Sequence, residues 1–334
     1  MMARPAVQAI RSLLGPVRLV AMAKSAHLPL VRRFGVFDDF VPAPETNGFK
    51  SLASVWSAAL AIRRYKPKVA VVMAPSFEAA FTTWLSGSRV RIGHGTDSRS
   101  WLLTSAIKLR PQVHRVETYL DLIRGFGNAG GVTLSSLSLN PTDYTFVTQL
   151  FEAMSWNTAV RPIFINPAAA KIPRAWSASR FRVLAERLSG REVSRHVIVH
   201  ARPPFPESED WARAHGIALV SDLSLPELAA LLERCSLYIG NDSGPAHLAG
   251  AAGIDTVTIF GSSVPDETGP GAQHALSVGV HSSVSAGFEC APCRERFFED
   301  CPSLPSEDGR PPCLQAISVA DVLGLVDQLL EARR

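Results

Sequence analysis

Asp242, Ser243, Gly244 and His247 form the densest group of chemically capable residues in the 334-residue chain. They lie within the run Ile239-Gly240-Asn241-Asp242-Ser243-Gly244-Pro245-Ala246-His247-Leu248-Ala249. Leu237-Tyr238-Ile239 reads as an apolar strand, Asp242 sits at its carboxyl end, and Pro245 stands where a helix takes its first residue. The helix stops at Gly253, and a second strand over Thr256–Phe260 empties into Gly261-Ser262-Ser263. Free N–H groups and the positive dipole end of such a helix favour an anion, and Gly244 lets a phosphate approach the backbone. His247, one turn in, can donate to the same anion. The competing reading is structural, with Asp242 or Ser243 a helix cap and His247 a satisfied partner at the helix start.

A second group is Cys290-x2-Cys293-x7-Cys301-x11-Cys313, with Cys235 apart in a helical pattern. Four thiolates opening with C-x-x-C suit a tetrahedral structural zinc or iron, and four protein ligands leave no open position for catalysis. The intervening segment is rich in proline (Pro292, Pro302, Pro305, Pro311, Pro312), so a metal would supply order that apolar burial cannot. Unmetallated thiols or a redox pair are the alternatives.

The elements that position these groups alternate as strand and helix, the pattern of parallel sheets covered on both faces. In the first half, strands are expected at 17–22, 69–73 and 89–92, with helices at 5–14, 51–65, 77–85 and 115–126. Residues 127–160, with Gly130-Gly131, Ser135-Ser136 and Asn140-Pro141, read as a connector. In the second half, strands are expected at 163–166, 197–200, 218–220, 237–239 and 257–260, and helices at 178–188, 209–215, 226–235 and 246–252. Ser224-Leu225-Pro226-Glu227 is a capping box for the helix that carries Leu228, Leu231, Leu232 and Cys235 on one face. The last stretch, from Ser318, is an amphipathic helix expected at the domain junction. The first half opens on a helix, whereas doubly wound domains open on a central strand.

Composition narrows the classes. Mean hydropathy is +0.11 and no apolar run nears the roughly 20 residues of a membrane helix. Arg4, Arg11, Arg18 and Lys24 interrupt every apolar stretch near the start and leave no signal-peptide core, so a cytoplasmic location is expected. Net charge is +4, but residues 1–150 carry 18 Lys and Arg against 8 acidic residues, and residues 151–334 carry 16 against 22. The basic half suits an anionic partner, or is simply a solvated face. No G-x-G-x-x-G follows a strand, which disfavours a nicotinamide oxidoreductase.

With Asp242-Ser243-Gly244-Pro245-Ala246-His247-Leu248-Ala249, Phe260-Gly261-Ser262-Ser263-Val264-Pro265 and Gly269-Pro270, the chain resembles the ADP-heptose:lipopolysaccharide heptosyltransferases, glycosyltransferase family nine. Pro75-Ser76-Phe77-Glu78-Ala79-Ala80, Arg91-Ile92-Gly93, the helix His114-Arg115-Val116-Glu117-Thr118-Tyr119-Leu120, the stretch Asn166-Pro167-Ala168…Arg174-Ala175-Trp176 and the cysteine tail extend the resemblance over nearly the whole chain. It implies two Rossmann-like α/β domains facing across a cleft (GT-B). These are an acceptor domain over 1–155, an ADP-sugar domain over 156–317 with the cysteine-rich segment 290–313, and the helix 318–334. It also implies inverting transfer of heptose from ADP-L-glycero-D-manno-heptose to the lipopolysaccharide inner core, with no catalytic cofactor. No D-x-D element is present to hold a divalent ion.

By position, Asp242, Ser243, Gly244 and His247 would meet the diphosphate and sugar or ribose, and Arg174 would neutralise the leaving phosphate where the family has Lys. Glu207 falls near the ribose and Leu223 beside adenine. Ala168 stands where Gly is usual, and Ala201-Arg202 replaces Gly-Ser. The resemblance begins at the family's first helix, so the N-terminal domain is missing its first strand, and the loop bearing the base is expected before Met1. Asp38 and Asp39 lie on the wrong segment for that role. The implied partners are the ADP-heptose donor, an anionic lipopolysaccharide-core acceptor and, transiently, the anionic inner face of the inner membrane, with no nucleic acid. Transfer of another sugar or to a protein acceptor is the alternative, as is a catalytically silent nucleotide-sugar-binding subunit.

Overall fold

Every position of the central strands in the second half of the chain is buried, as parallel strands covered on both faces must be. The structure, a computed structural model, describes residues 1–44, 52–127, 136–169, 174–190, 196–200, 209–270, 281–285 and 310–331. They divide into two compact units at residues 138 and 139.

The first unit contains α1 (Arg4–Leu14), β1 (Val20–Ala23), α2 (Leu28–Arg32), β2 (Asp39–Pro42), α3 (Leu52–Arg63), β3 (Val69–Val72), α4 (Phe77–Leu85), β4 (Val90–His94), β5 (Ser105–Ile107) and α5 (Arg115–Asp121). Its strands are all parallel but form two separate sheets, β1-β2 and β3-β4-β5. Among the described residues, β1 and β3 each have a strand partner on one edge only. Val69 opens β3 at 42% exposed, and three of the four residues of β1 are half-buried. Ala6, Ala9, Ile10, Leu122 and Ile123 of α1 and the end of α5 make the small core beneath.

The second unit contains α6 (Thr145–Ala153), β6 (Ile163–Asn166), α7 (Ala178–Ser189), β7 (Val197–His200), α8 (Glu209–Ala214), β8 (Ile217–Val220), α9 (Leu225–Glu233), β9 (Leu237–Asn241), α10 (Gly244–Ala251), β10 (Asp255–Phe260), α11 (Pro265–Thr268), β11 (His281–Ser285), α12 (Pro312–Gln315) and α13 (Val319–Glu331). Its six parallel strands run β8-β7-β6-β9-β10-β11, which is the 3-2-1-4-5-6 order in full. The strand order reverses between β6 and β9. Ligands of such sheets bind outside the carboxyl ends at that reversal, which places Asn166 and Asn241-Asp242 at the expected mouth.

Local rules account for the helices. Ser224 accepts from Glu227 N at 3.4 Å and Glu227 Oε2 accepts from Ser224 N at 2.9 Å, so the capping box forms as its sequence predicts. Gly253, at φ +76°, takes the left-handed turn that ends the α10 segment.

Three expectations change. The stretch 127–160 is not all connector: Asn140 and Asp143 build a capping box ahead of α6, whose Val147 and Phe151 recur at helical spacing and are buried. Residues 139–155 group with the second unit, where the Tyr144 hydroxyl donates to Glu233 Oε2 at 2.5 Å. The C-terminal α13 is part of that unit's core through Val322, Leu323, Val326 and Leu329, in one cluster with Leu184 and Leu188 of α7.

Candidate functional site

The carboxyl ends of β6 and β7 and the strand β9 meet in a polar network whose Asn166, His200 and Tyr238 are buried. Asn166 is fully buried and donates from Nδ2 to the Tyr238 hydroxyl at 3.1 Å, to Ala168 O at 3.3 Å and to Ser243 Oγ at 3.4 Å. His200 Nδ1 lies 3.0 Å from Asn166 Oδ1 and, because that oxygen only accepts, carries the proton. Tyr238 completes the set through Ser243 Oγ at 3.4 Å, and burial raises its phenol pKa above the ordinary value, keeping it a neutral donor. Gly240 makes room for it, because a Cβ there would stand 2.5 Å from the Tyr238 hydroxyl and 2.8 Å from Asn166 O. The network fixes Ser243 at the start of α10.

At that helix start the capping alternative fails. Ser243 occupies the N-cap position with an extended backbone, but its side chain makes no capping hydrogen bond. Asp242 does not cap either, since its Oδ2 accepts from the Ser263 hydroxyl at the end of β10. The first N–H groups of α10 are therefore not closed by a side chain of the N-cap residue, and the helix offers donors and a positive dipole end to an anion. Gly244 is exposed, with open space around its Cα. His247 is half-buried in the first turn.

Asp242 is only 6% exposed, and burial raises its carboxyl pKa against the lowering effects of the Ser263 hydrogen bond and the Arg174 charge. A carboxylic acid with a raised native pKa binds its proton more tightly when folded. Its ionisation therefore opposes folding as pH rises above the unfolded value, and below that value the penalty is absent. Asp242→Asn, which keeps an oxygen for Ser263, should raise thermal stability at neutral pH and leave it unchanged below the ordinary carboxylate range. Melting curves across pH check this, and a variant less stable at pH 7 would contradict it.

Arg174 reaches the site electrostatically through a segment that the fold holds firmly. Two residues on, Trp176 N donates to Asn241 Oδ1 at 2.9 Å, and Asn241 Nδ2 donates to Pro167 O at 2.8 Å. One buried carboxamide thus ties the turn after β6, the Arg174 segment and the end of β9 together.

The remaining sequence candidates separate. Leu223 is half-buried in the turn after β8. Glu207, Ala201-Arg202, Cys290, Cys293 and Cys301 lie outside the described residues. Cys313 is buried in α12 among Leu314 and Ile317. Burial raises the thiol pKa of Cys235, whose Sγ donates to Leu231 O at 3.2 Å, so it is an inert core thiol. Asp38 pairs with Arg11 at 2.7 Å and Asp39 with Arg18 at 2.6 Å, so both carboxylates are engaged in ion pairs.

Sequence reasoning missed Ser263, Tyr238, Asn166 and His200. One signal was present: Tyr238 and Gly240 share a strand face at spacing two, and a glycine there marks a close approach.

The model of glycosyltransferase family 9 (heptosyltransferase) matches residues 55–296. A lipopolysaccharide heptosyltransferase 3 of Escherichia coli is 22% identical over 296 residues, 84% of this chain and 80% of that protein. The E. coli ADP-heptose lps heptosyltransferase II shares the fold with a TM-score of 0.74 at 18% identity, over 99% of this chain and 95% of that one. The E. coli heptosyltransferase WaaC with ADP-2-deoxy-2-fluoro heptose gives 0.66 at 13% identity, over 98% and 95%.

Proposed function

The chain belongs to glycosyltransferase family 9 (heptosyltransferase), and from that membership we propose that it transfers heptose from ADP-L-glycero-D-manno-heptose to an anionic acceptor of the lipopolysaccharide inner core. The observation that carries this reading is the α10 start, with its uncapped N–H groups, the buried Asp242 and the charge of Arg174 gathered at the strand-order reversal. The diphosphate lies on the helix N-terminus with Ser243, Gly244 and His247, Asp242 accepts from a sugar or ribose hydroxyl, and Leu223 borders the adenine with Glu207 near the ribose.

The reaction is a single displacement with inversion. The acceptor oxygen loses its proton to a base and bonds to the anomeric carbon as the bond to the β-phosphate oxygen breaks. Charge then grows on ADP, and Arg174 and the α10 dipole stabilise it without a divalent ion. No residue of the described units is assigned as the base. The enzyme works at the inner face of the inner membrane, drawn there by the basic first half. No described helix is long and apolar enough to cross a membrane. This reading includes a structural zinc or iron on Cys290, Cys293, Cys301 and Cys313, of which Cys313 is among the described residues and is buried.

Calorimetry on the purified chain tests the donor. ADP-heptose should bind at least about tenfold more tightly than a UDP-sugar, a difference of ~1.4 kcal/mol. Asp242→Ala should weaken donor binding, and elemental analysis of the same preparation should find zinc or iron. Equal affinity for ADP- and UDP-sugars would refute the donor assignment, and metal-free protein would refute the cysteine site. Tight donor binding without sugar transfer would favour the silent binding subunit.

A further inference from the structure

Among the described residues ten large apolar side chains are notably exposed, and nine belong to the first unit. Six of them lie on α3, on α4 and in the turn over Ser100–Leu102. On α3, Leu52, Trp56 and Leu60 recur every four residues and so share one face. On α4, which packs against α3, Phe77, Phe81 and Trp84 stack in a row, with ring centroids 5.9 and 5.8 Å apart. Trp101 extends the row at 6.2 Å from Phe77. Three of the six tryptophans are thereby turned outward, at 56%, 44% and 66% exposed for Trp56, Trp84 and Trp101.

These rings stand on a rigid base. The fully buried Arg99 donates to Ala74 O at 2.5 Å, Ser76 O at 2.9 Å and His94 O at 2.9 Å, clamping the start of α4 to the end of β4. Asp97 Oδ2 accepts from Phe77 N at 2.6 Å and fixes the first aromatic of the row. A contiguous exposed apolar patch marks an interaction surface, and tryptophan held at a surface is the side chain of a membrane–water interface.

Charge selects among the occupants. Residues 52–110 carry nine Lys and Arg against two acidic residues, Glu78 and Asp97. Arg63, Arg64, Lys66 and Lys68, at the end of α3, and Arg89, after α4, are all exposed. A second copy meeting this face isologously would bring the same positive fringe against itself, and the repulsion would oppose the contact. An anionic lipid surface satisfies both components at once, with headgroups on the fringe and the rings at the acyl boundary.

The geometry points to the aromatic row of α4 and Trp101, flanked by the exposed face of α3, as the surface that seats this protein on an anionic bilayer. Phe77 and Trp101 lie near the carboxyl ends of β3 and β4, the side on which doubly wound domains bind ligands. This siting deepens the proposed function, since it suits an acceptor carried by lipid, but the surface is detectable whether or not transfer occurs.

Flotation of the full chain with vesicles tests it, using phosphatidylcholine alone and phosphatidylcholine mixed with phosphatidylglycerol. The wild type should partition at least about tenfold more strongly onto the anionic vesicles, with a blue shift of tryptophan emission. A Trp56→Ser, Trp84→Ser, Trp101→Ser triple variant should lose both responses while keeping its circular dichroism and its ADP affinity. The proposal is overturned if the wild type does not float with anionic vesicles, or if the folded triple variant floats equally well. A wild-type dimer that the triple variant dissociates, without vesicle binding, would assign the face to self-association instead. Transfer to a lipid-free acceptor fragment, measured in parallel, should be unchanged in the triple variant. Its absence in the wild type would count against the transfer reading and leave the membrane surface standing.

Discussion

Arg174→Ala should lower kcat for sugar transfer about 10²- to 10³-fold, the usual cost of removing one group that stabilises charge developing in a transition state. The expectation rests on position and field. Arg174 stands two residues before Trp176, whose backbone is tied to Asn241, and its charge is felt by the buried Asp242. In the proposed reaction the β-phosphate gains negative charge beside the α10 N-terminus as the glycosidic bond breaks. The sequence has no D-x-D element, and the proposed mechanism draws the stabilising cation from the protein. Arg174→Lys should recover part of the loss, because it restores charge but not the planar fork. The same change has a titration signature. Removing the guanidinium takes away an influence that lowers the Asp242 pKa, so a pH–rate limb belonging to Asp242 should move upward in Arg174→Ala. Steady-state kinetics across pH separates the outcomes. A fall of less than about fivefold, far below the range for a charge-stabilising group, would make Arg174 a surface cation.

Legibility in the sequence differed between the two units for a physical reason. Ile163–Asn166 and Val197–His200 were readable to the residue because a strand buried on both faces must be a continuous apolar run. In the first unit β2 carries Asp39 and Pro42 in four residues, and β5 is three residues with an exposed centre. Neither has a pattern of its own, and each is a strand because its neighbour supplies a parallel ladder. The site shows the same division. Asp242, Ser243, Gly244 and His247 are contiguous and could be seen as a helix start. Asn166, His200 and Tyr238 are 34 and 72 residues removed from one another along their hydrogen bonds, so only the adjacency of β6, β7 and β9 brings them together. Ser263 is likewise joined to Asp242 through the pairing of β9 with β10. Polar groups that complete one another across a sheet have no local spacing to announce them.

Trp176→Ala should be the most destabilising single change near the site, by about 3–5 kcal/mol, because it empties a large aromatic from a packed interior. Trp176 is 1% exposed and meets Phe181 edge to face at 4.8 Å between ring centroids. Its indole Nε1 donates to Ile317 O at 2.9 Å, and Arg180 Nη1 donates to the same oxygen at 2.6 Å. One side chain therefore binds three pieces of the second unit: the Arg174 segment, α7 and the approach to α13. Trp176→Phe separates the two contributions. It keeps much of the ring packing, removes one donor from an oxygen that retains Arg180, and should cost less than the alanine variant. Urea unfolding followed by circular dichroism measures both. Catalysis should follow a different order from stability. Trp176→Phe leaves the backbone bond to Asn241 intact and should keep the donor affinity near wild type, whereas Trp176→Ala frees the Arg174 segment and should weaken donor binding even under conditions where the chain is folded. A Trp176→Ala protein that loses less than about 1 kcal/mol would mean that the cavity collapses without cost, and the segment would then owe its position to something other than this ring.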